Sequence, residues 1–303
     1  MRNLLSNIIT QAAISSEDFV VLSGDHGYAL FDELRANRPD QFINAGVAEQ
    51  NMIGLAAGLA RQNFKPMVYG LSAFVPIRVL EQIKLDICFS KLPVIFVGDG
   101  AGLVYSTLGA SHQCGEDIAC LRPLPHIQIF SPCDAEELRV CFAEARNFDG
   151  PSYLRVGKSD RPSVNRASTL TSTNAHFTTE SPEKRSLTFI GTGSMVSPGT
   201  EMAKELGVSF ISVPRIKPFP KELFAMIAGM QKICVLEEHS RHGGLTSALL
   251  DAMAEADLPI PRVHSLSLEE KFSHRCGSYQ YALSEHHISD PELFSRMRAE
   301  LTN

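Results

Sequence analysis

The sequence predicts an α/β protein of two domains, each a mainly parallel sheet with helices on both faces. Short apolar and β-branched runs alternate with longer segments of helical periodicity. The short runs lack the alternation of a half-exposed strand, as expected when both faces of a parallel sheet are covered. This pattern stops in a Ser-, Thr-, Asn- and Pro-rich stretch and then begins again. The 303 residues suffice for two domains of ordinary size.

The first predicted domain covers residues 1–160. Its strands are predicted over residues 19–22, 66–69, 92–97, 127–130 and 152–156. Its helices are predicted over residues 47–62, 77–89, 115–122 and 135–146, the last with Asp134 as its N-cap.

Residues 161–183 are predicted to be an interdomain linker, and residues 184–303 a second, smaller α/β domain. In this domain strands are predicted over residues 187–190, 208–213 and 232–236. Helices are predicted over residues 198–206, 221–229 and 243–256.

Composition argues against several classes of protein. A net charge of −6 without any Lys/Arg block disfavours a nucleic-acid surface. No apolar run reaches the about 18 residues of a membrane span, and the N-terminus lacks a signal-peptide pattern. Seven scattered cysteines without a CxxC pair indicate a reducing cytoplasm and disfavour a zinc site.

The segment from Asn44 to Ala60 places one carboxylate, Glu49, at the start of an otherwise small and apolar helix. An acid there can simply be favoured by the helix dipole. Gly54 and Gly58 each cost a helix about 1 kcal/mol relative to Ala. Close packing against another helix or a subunit would explain both glycines, and so would a tightly packed core.

A second segment, from Thr107 to Arg122, carries His112 on a loop before a short helix. Histidine can exchange protons near neutral pH. A loop histidine can equally be an ordinary polar residue.

These two segments together resemble a known family. NAGVAEQNMIGLAAGLA resembles the acid-bearing helix of transketolases and deoxyxylulose-phosphate synthases, and GASHQCGEDIACLRPLP resembles their histidine loop. SAFVPIRVLEQIK lies between them at the family's spacing. The resemblance covers residues 15–160 strongly. It extends into the second domain through Gly191–Thr192–Gly193–Ser194, Glu237–Glu238–His239 and Gly243–Gly244.

The resemblance implies thiamine diphosphate as cofactor and Glu49 as the acid that activates it. A carboxylate bonded to the aminopyrimidine ring favours the imino form, whose nitrogen can take the thiazolium proton. Phe74 would stack on the ring, and Arg78 would lie near the ring or a subunit contact. A core Phe and an exposed helical Arg are the alternatives. Leu80 replaces an aromatic residue that transketolases often have there.

The resemblance also implies substrate contacts. His112 would face the substrate oxygens and move protons at the carbonyl, while Leu108 replaces the acid that reads a sugar hydroxyl. Ser23, Asp25 and His26 would line the substrate channel; for Asp25 and His26 a turn network is the alternative. Arg155 and Lys158 occupy the strand end where relatives bind a phosphate; a surface cation is the alternative.

No diphosphate and Mg²⁺ motif is recognised, because Gly98–Asp99–Gly100 lacks a suitably spaced Asn-type ligand. We therefore expect a separate diphosphate-binding subunit that supplies the Mg²⁺ ligands, in an α2β2 heterotetramer with no metal ligand from this chain. The predicted reaction moves a two-carbon ketol unit from a ketose, expected to be phosphorylated, to an aldehyde. Alternatives are a deoxyxylulose-phosphate-synthase-like subunit, a 2-oxoacid dehydrogenase β subunit and a non-catalytic scaffold.

Overall fold

The computed structural model describes residues 1–158, 160–167, 169–181 and 187–301, which form two sheets packed between helices. The first half contributes six strands: β1 (Phe19–Ser23), β2 (Phe42–Asn44), β3 (Lys65–Leu71), β4 (Ile95–Asp99), β5 (Gln128–Phe130) and β6 (Ser152–Val156). Its helices are α1 (Arg2–Ser15), α2 (Asp32–Asn37), α3 (Glu49–Arg61), α4 (Leu80–Gln82), α5 (Asp117–Leu121) and α6 (Ala135–Asn147).

The second half contributes β7 (His176–Thr179), β8 (Leu187–Gly191), β9 (Ser209–Ser212), β10 (Arg215–Lys217), β11 (Lys232–Ser240) and β12 (Arg262–Leu268). Its helices are α7 (Val196–Leu206), α8 (Lys221–Ile227), α9 (Leu245–Glu255), α10 (Tyr279–Glu285) and α11 (Asp290–Ala299).

Within the described residues the first sheet has the order β10-β5-β6-β4-β3-β1-β2 and the second the order β12-β11-β8-β9-β7. Both sheets are parallel except for one antiparallel edge strand each, β10 beside β5 and β7 beside β9. The predicted fold class is therefore confirmed. The carboxyl ends of β1, β3 and β4 meet at one edge, where ligands bind in such sheets.

The two halves of the chain are more entangled than the predicted boundaries suggest. β10 belongs to the second half in sequence but pairs with the first sheet. β7 lies inside the predicted linker, yet it extends the second sheet. One cluster of buried apolar side chains includes Val68 and Phe96 from the first sheet and Ile190 and Ile233 from the second. The two sheets thus share a continuous core.

The structure also contains elements that the sequence did not predict, namely α1, α2, β2, β12, α10 and α11. Predicted elements differ from the structure mainly at their ends. The helix predicted from residue 47 begins at Glu49, because Gly46 has a φ of +70° and Ala48 is not helical. The single helix predicted over 77–89 is instead a 3-10 turn, the short α4 and a π turn over Ile83–Cys88. The Asp134 N-cap is confirmed, since its side chain accepts from the amides of Glu136 and Glu137, each at 3.1 Å.

Asp134 also anchors the predicted linker. Its second carboxylate oxygen accepts the amides of Val164 at 3.1 Å and Asn165 at 2.9 Å. The segment after β6 is thus held against the first domain. No helix in the described part of the chain is both long and apolar enough to cross a bilayer.

Candidate active site

Glu49 is the centre of a buried polar cluster at the ligand-binding edge. It is the first residue of α3 and its side chain is 3% exposed. The helix dipole favours a carboxylate at this end. One oxygen, Oε2, accepts a hydrogen bond from Arg78 at 3.1 Å. The other, Oε1, is buried without a hydrogen-bond partner.

His26 lies beside this free oxygen. Its Nε2 is 3.9 Å from Glu49 Oε1, too far for a hydrogen bond, and it too is buried without a partner. Leaving a buried polar atom unpaired costs about 1–3 kcal/mol. Two such atoms side by side indicate a place for a ligand that can form a hydrogen bond with each of them.

Phe74 forms the aromatic wall of the cluster. Its ring centroid is 6.0 Å from that of His26 and 5.3 Å from that of His112. The Arg78 guanidinium carbon lies 4.1 Å from the same ring centroid. Arg78 therefore contacts both the carboxylate and the aromatic wall, while almost half of its side chain is exposed.

Ser23 and Asp25 contribute to the cluster indirectly. Ser23 Oγ donates to the carbonyl of His26 at 2.7 Å and accepts its amide at 3.1 Å, which fixes the turn that presents the imidazole. Asp25 is exposed, with a φ of 62°, and accepts from Asn44 at 3.1 Å. The turn network that was the alternative for Asp25 and His26 is thus present, and Ser23 takes part in it.

The histidine loop runs from the end of β4 to α5. His112 Nδ1 lies 2.9 Å from Ser111 Oγ, and the loop turns at Gly109, which has a φ of +79°. Leu108 is 52% exposed on the same loop. An apolar side chain, not an acid, is thus presented at that position.

Arg155 does not lie in this cluster. It is 1% exposed, and its Nε donates to both carboxylate oxygens of Asp117 at 3.1 and 2.9 Å, while Nη2 donates to the carbonyl of Glu238 at 2.8 Å. A guanidinium so enclosed has no face for a phosphate. The predicted role of Arg155 as a phosphate ligand is therefore corrected. Its side chain links the two domains in the interior, so the alternative of a surface cation does not hold either.

Lys158, at the end of the same strand, is also apart from the Glu49 cluster. Its ammonium donates to Asp160 at 2.8 Å and lies 5.5 Å from the ring centroid of Tyr279. Because Asp160 is exposed, this ion pair leaves the ammonium within reach of solvent.

Sequence reasoning assigned no role to the partners of Arg155, although both stand in the motifs that carry the resemblance. Asp117, fully buried, also accepts from Tyr153 at 2.7 Å. Glu238 accepts the amide of Leu103 at 2.6 Å and the hydroxyl of Tyr279 at 2.6 Å. These bonds fasten the start of the histidine loop to the second domain. The sequence signal for these buried polar contacts was the charged run Glu237–Glu238–His239 within an otherwise apolar strand.

Breaking the buried pair should be costly. Asp117→Ala leaves the Arg155 guanidinium buried without its counter-charge, so we expect a loss of about 3–5 kcal/mol in the free energy of unfolding. Urea denaturation measures this. Asp251→Ala is the matched control, because Asp251 pairs with Arg122 at an exposed site and should cost at most about 1 kcal/mol. Equal effects of the two changes would contradict the proposed tie.

Comparison with known proteins decides the family. Residues 1–163 match the model described as the transketolase pyrimidine binding domain, and residues 178–284 match the transketolase C-terminal domain. The chain belongs to the transketolase family. Membership makes it a transketolase-type transferase and implies dependence on thiamine diphosphate. The predicted family is therefore confirmed.

Two curated relatives are components of split transketolases. One of the subunits of the apulose-4-phosphate transketolase of Phocaeicola vulgatus is 30% identical over 276 residues, covering 86% of this chain and 85% of the relative. The 6-deoxy-6-sulfo-D-fructose transketolase subunit SqwH of Clostridium sp. is 30% identical over 274 residues, covering 86% and 82%.

Solved transketolase structures share the fold. A split-gene transketolase, described as an inactive β4 tetramer, superposes with a TM-score of 0.85 at 28% identity and covers 99% of this chain and 97% of its own. Transketolase from Campylobacter jejuni superposes with a TM-score of 0.77 at 18% identity, with 46% of its length covered. The chain thus matches a split transketolase over nearly its full length but spans less than half of the undivided enzyme.

Proposed function

We propose that this chain is the pyrimidine-binding subunit of a two-chain transketolase that moves a two-carbon ketol unit from a ketose to an aldehyde. The observation that carries the proposal is the pair of buried, unpartnered atoms Glu49 Oε1 and His26 Nε2 beside the Phe74 ring. An aminopyrimidine offers a ring nitrogen, an amino group and a flat face. Glu49 and His26 offer hydrogen-bonding atoms to the ring nitrogen and the amino group, and Phe74 offers a ring against which the flat face can stack.

When bound, thiamine diphosphate supplies a nucleophilic carbon and an electron sink for the ketol unit. Glu49 Oε1 holds the proton shared with the pyrimidine nitrogen, sheltered from water by its burial. Phe74 fixes the plane of the ring, and Arg78 keeps the carboxylate oriented through Oε2. Arg78 thereby leaves Oε1 free for the cofactor.

His112 is the proposed proton carrier at the substrate. Its ring contacts Phe74 edge-on, so it lies on the aromatic wall next to the cofactor position. His26 also lies beside Phe74, with its ring centroid 6.0 Å away, and lines the same channel. With Leu108 in place of an acid, this loop offers no carboxylate at that position to a sugar hydroxyl.

The donor is proposed to be a ketose with an anionic group. The two split relatives are named for a phosphorylated sugar and for a sulfonated one. Two cations, Arg155 and Lys158, were predicted to bind the anionic group. Because Arg155 is enclosed, Lys158 is the one of these two that can contact it. Pyruvate is the donor to test against it, because deoxyxylulose-phosphate synthases are also relatives, one of them 34% identical over 241 residues.

The Mg²⁺ and diphosphate ligands are proposed to come from the partner subunit. In the described residues no group of three or more His, Cys, Asp or Glu side chains is placed to hold a metal ion. The curated split relatives are each named as one subunit of an enzyme. We propose an α2β2 assembly in the cytoplasm, where the seven unpaired cysteines would stay reduced.

The surface around Glu49 fits such a partner. Apolar or small residues are exposed together on the stretch leading into α3, on α3 and on the adjoining π turn. This partner face consists of Val47, Gly54, Leu55, Gly58, Leu85 and Phe89. Apart from the neighbouring backbone of α3, a Cβ built at Gly54 or Gly58 meets no atom of the described residues within 4 Å. The glycines are therefore not explained by packing inside this chain, whereas a docked subunit would explain them.

Reconstitution tests the function. The chain, its diphosphate-binding partner, thiamine diphosphate and Mg²⁺ are combined, and ketol transfer from a phosphorylated ketose to an aldehyde is followed. We expect turnover with both chains and none with either alone. Turnover by this chain alone would refute the two-chain proposal, and turnover only with pyruvate would favour the synthase.

His112 can be tested in the same assay. His112→Ala should slow transfer by about 10²-fold, because a positioned general acid–base is lost. His242→Ala, at a histidine whose side chain is 67% exposed in the second domain, is the control and should be neutral. An undiminished rate in His112→Ala would make His112 an ordinary loop residue.

A further inference from the structure

A second cavity lies behind the histidine loop, on the side of the second domain. Its volume is about 470 Å³, within the range of small-molecule sites. One wall is the loop itself, and the other is formed by the ends of β11 and β12 and the segment after β12. None of Glu49, His26, Phe74 or Arg78 lines it. Its polar and aromatic lining includes Gln113, Glu116, Glu269, Glu270, Lys271, Phe272 and His286.

The walls are firmly built. The amide of Ser240 donates to the carbonyl of Gly115 at 2.7 Å, which joins the loop to β11. Gly102 and Cys114 exchange two backbone hydrogen bonds, at 2.7 and 2.9 Å, across the base of the loop. A Cβ on Gly115 would lie 2.7 Å from Leu268 Cδ1, so the two walls approach closely there. The cavity is thus bounded by fixed backbone.

Two of the lining side chains have polar atoms that nothing in the described chain satisfies. Gln113 Nε2 is buried without a hydrogen-bond partner, and so is Nδ1 of His286, a residue only 2% exposed. An unpaired buried amide or imidazole nitrogen costs about 1–3 kcal/mol. A ligand with hydrogen-bonding groups in the cavity would recover that cost.

The charges of the lining restrict the ligand. The lining has three carboxylates, Glu116, Glu269 and Glu270, and one ammonium, Lys271, which already donates to Glu269 at 2.7 Å. Burial lowers the pKa of His286, so its imidazole is neutral at pH 7. An anion would meet net repulsion. A simple cation would leave the Gln113 donor unpaired, whereas a hydroxyl can accept from Gln113 and donate to Glu116.

Phe272 adds an apolar face. Its side chain is 85% exposed at the cavity and has no aromatic partner among the described residues. The Phe272 ring can pack against the C–H face of a small cyclic ligand. The Glu116 carboxylate and the Gln113 amide can form hydrogen bonds with hydroxyls of that ligand.

We propose that this cavity binds a small, uncharged, polyhydroxylated ring compound, with Gln113, Glu116 and Phe272 as its principal contacts. The site is separate from the Glu49 cluster and does not rest on the proposed reaction. Because Gln113 follows His112 directly, a ligand here would also restrain the loop that carries His112.

Ligand-observed NMR on the full chain tests the proposal with D-ribose as the probe. We expect saturable binding of roughly millimolar affinity, as usual for so small a ligand. Ribose 5-phosphate and ethanolamine, the anionic and cationic probes, should bind this cavity at least about tenfold more weakly. Competition with D-ribose distinguishes this cavity from any other site those probes occupy.

Variants locate the binding. Phe272→Ala and Glu116→Gln should each weaken D-ribose binding at least about fivefold, and neither should affect folding because both side chains are exposed. Ile260→Ala, at another exposed apolar residue of the second domain, is the control and should have no effect. Glu49→Gln should also leave this binding unchanged.

Three results would overturn the proposal: no saturable D-ribose signal, binding that is insensitive to both Phe272→Ala and Glu116→Gln, or tighter binding of ethanolamine in competition with D-ribose. None of them bears on ketol transfer, so the proposed function can fail or stand independently.

Discussion

Glu49→Gln should reduce ketol transfer of the reconstituted enzyme by about 10³-fold or more. The amide keeps the size of the side chain but can no longer hold the proton at the pyrimidine nitrogen. Steady-state rates at saturating cofactor measure the effect. Glu33→Gln, an exposed first-turn acid of α2, is the matched control and should retain full activity.

A second readout separates catalysis from structure. Glu49 is a buried carboxylate with one unpartnered oxygen, and its partner Arg78 is almost half exposed and can be hydrated again. Removing the charge should therefore leave the free energy of unfolding equal to or above that of the parent chain. This is opposite in sign to the expectation for Asp117→Ala. A destabilised Glu49→Gln chain, or one that retains its turnover, would show that the carboxylate serves the fold.

The double change Leu85→Asp and Phe89→Asp should abolish assembly with the diphosphate-binding subunit. Both side chains are exposed, at 52% and 85%, so the chain itself should fold normally. Two apolar anchors at an interface commonly contribute about 2 kcal/mol each, so affinity should fall by at least about 10²-fold. Analytical ultracentrifugation of the mixed subunits measures this.

Gly54→Leu tests the same partner face by a steric route. Apart from the neighbouring backbone of α3, no atom of the described residues lies within 4 Å of the added Cβ. Leucine is also a better helix former than glycine, so the isolated chain should gain stability. The same side chain should obstruct a docked subunit. Ile260→Asp, at an exposed apolar residue of the second domain, is the control for added charge and should assemble normally. If both partner-face variants assemble normally, the partner subunit does not bind at this face.

The tie between Asp117 and Arg155 links the site to the second domain. Arg155 reaches the carbonyl of Glu238, and the carboxylate of Glu238 holds the amide of Leu103 at the start of the histidine loop. A Cβ on Gly102 would lie 2.4 Å from that carboxylate, and Gly102 has a φ of +75°. The position of the loop, and with it of His112, therefore depends on packing between the domains.

The sequence by itself determined what depends on neighbours along the chain. The apolar pattern predicted eight strands of the two sheets but missed β2, β7, β10 and β12. Asp134 predicted its own cap, because an N-cap side chain reaches only the next few amides. The family followed from Glu49, Phe74 and His112, which stand in short motifs at a fixed spacing.

Only the tertiary structure decided which groups from distant segments meet. It put the His26 imidazole beside Glu49, enclosed Arg155 with Asp117, and gave β10 to the first sheet. The motif position that marked Arg155 as a phosphate ligand carries no information on its burial. A side chain's charge is read from its type, but its partner and its contact with solvent depend on which surfaces the long-range packing brings together.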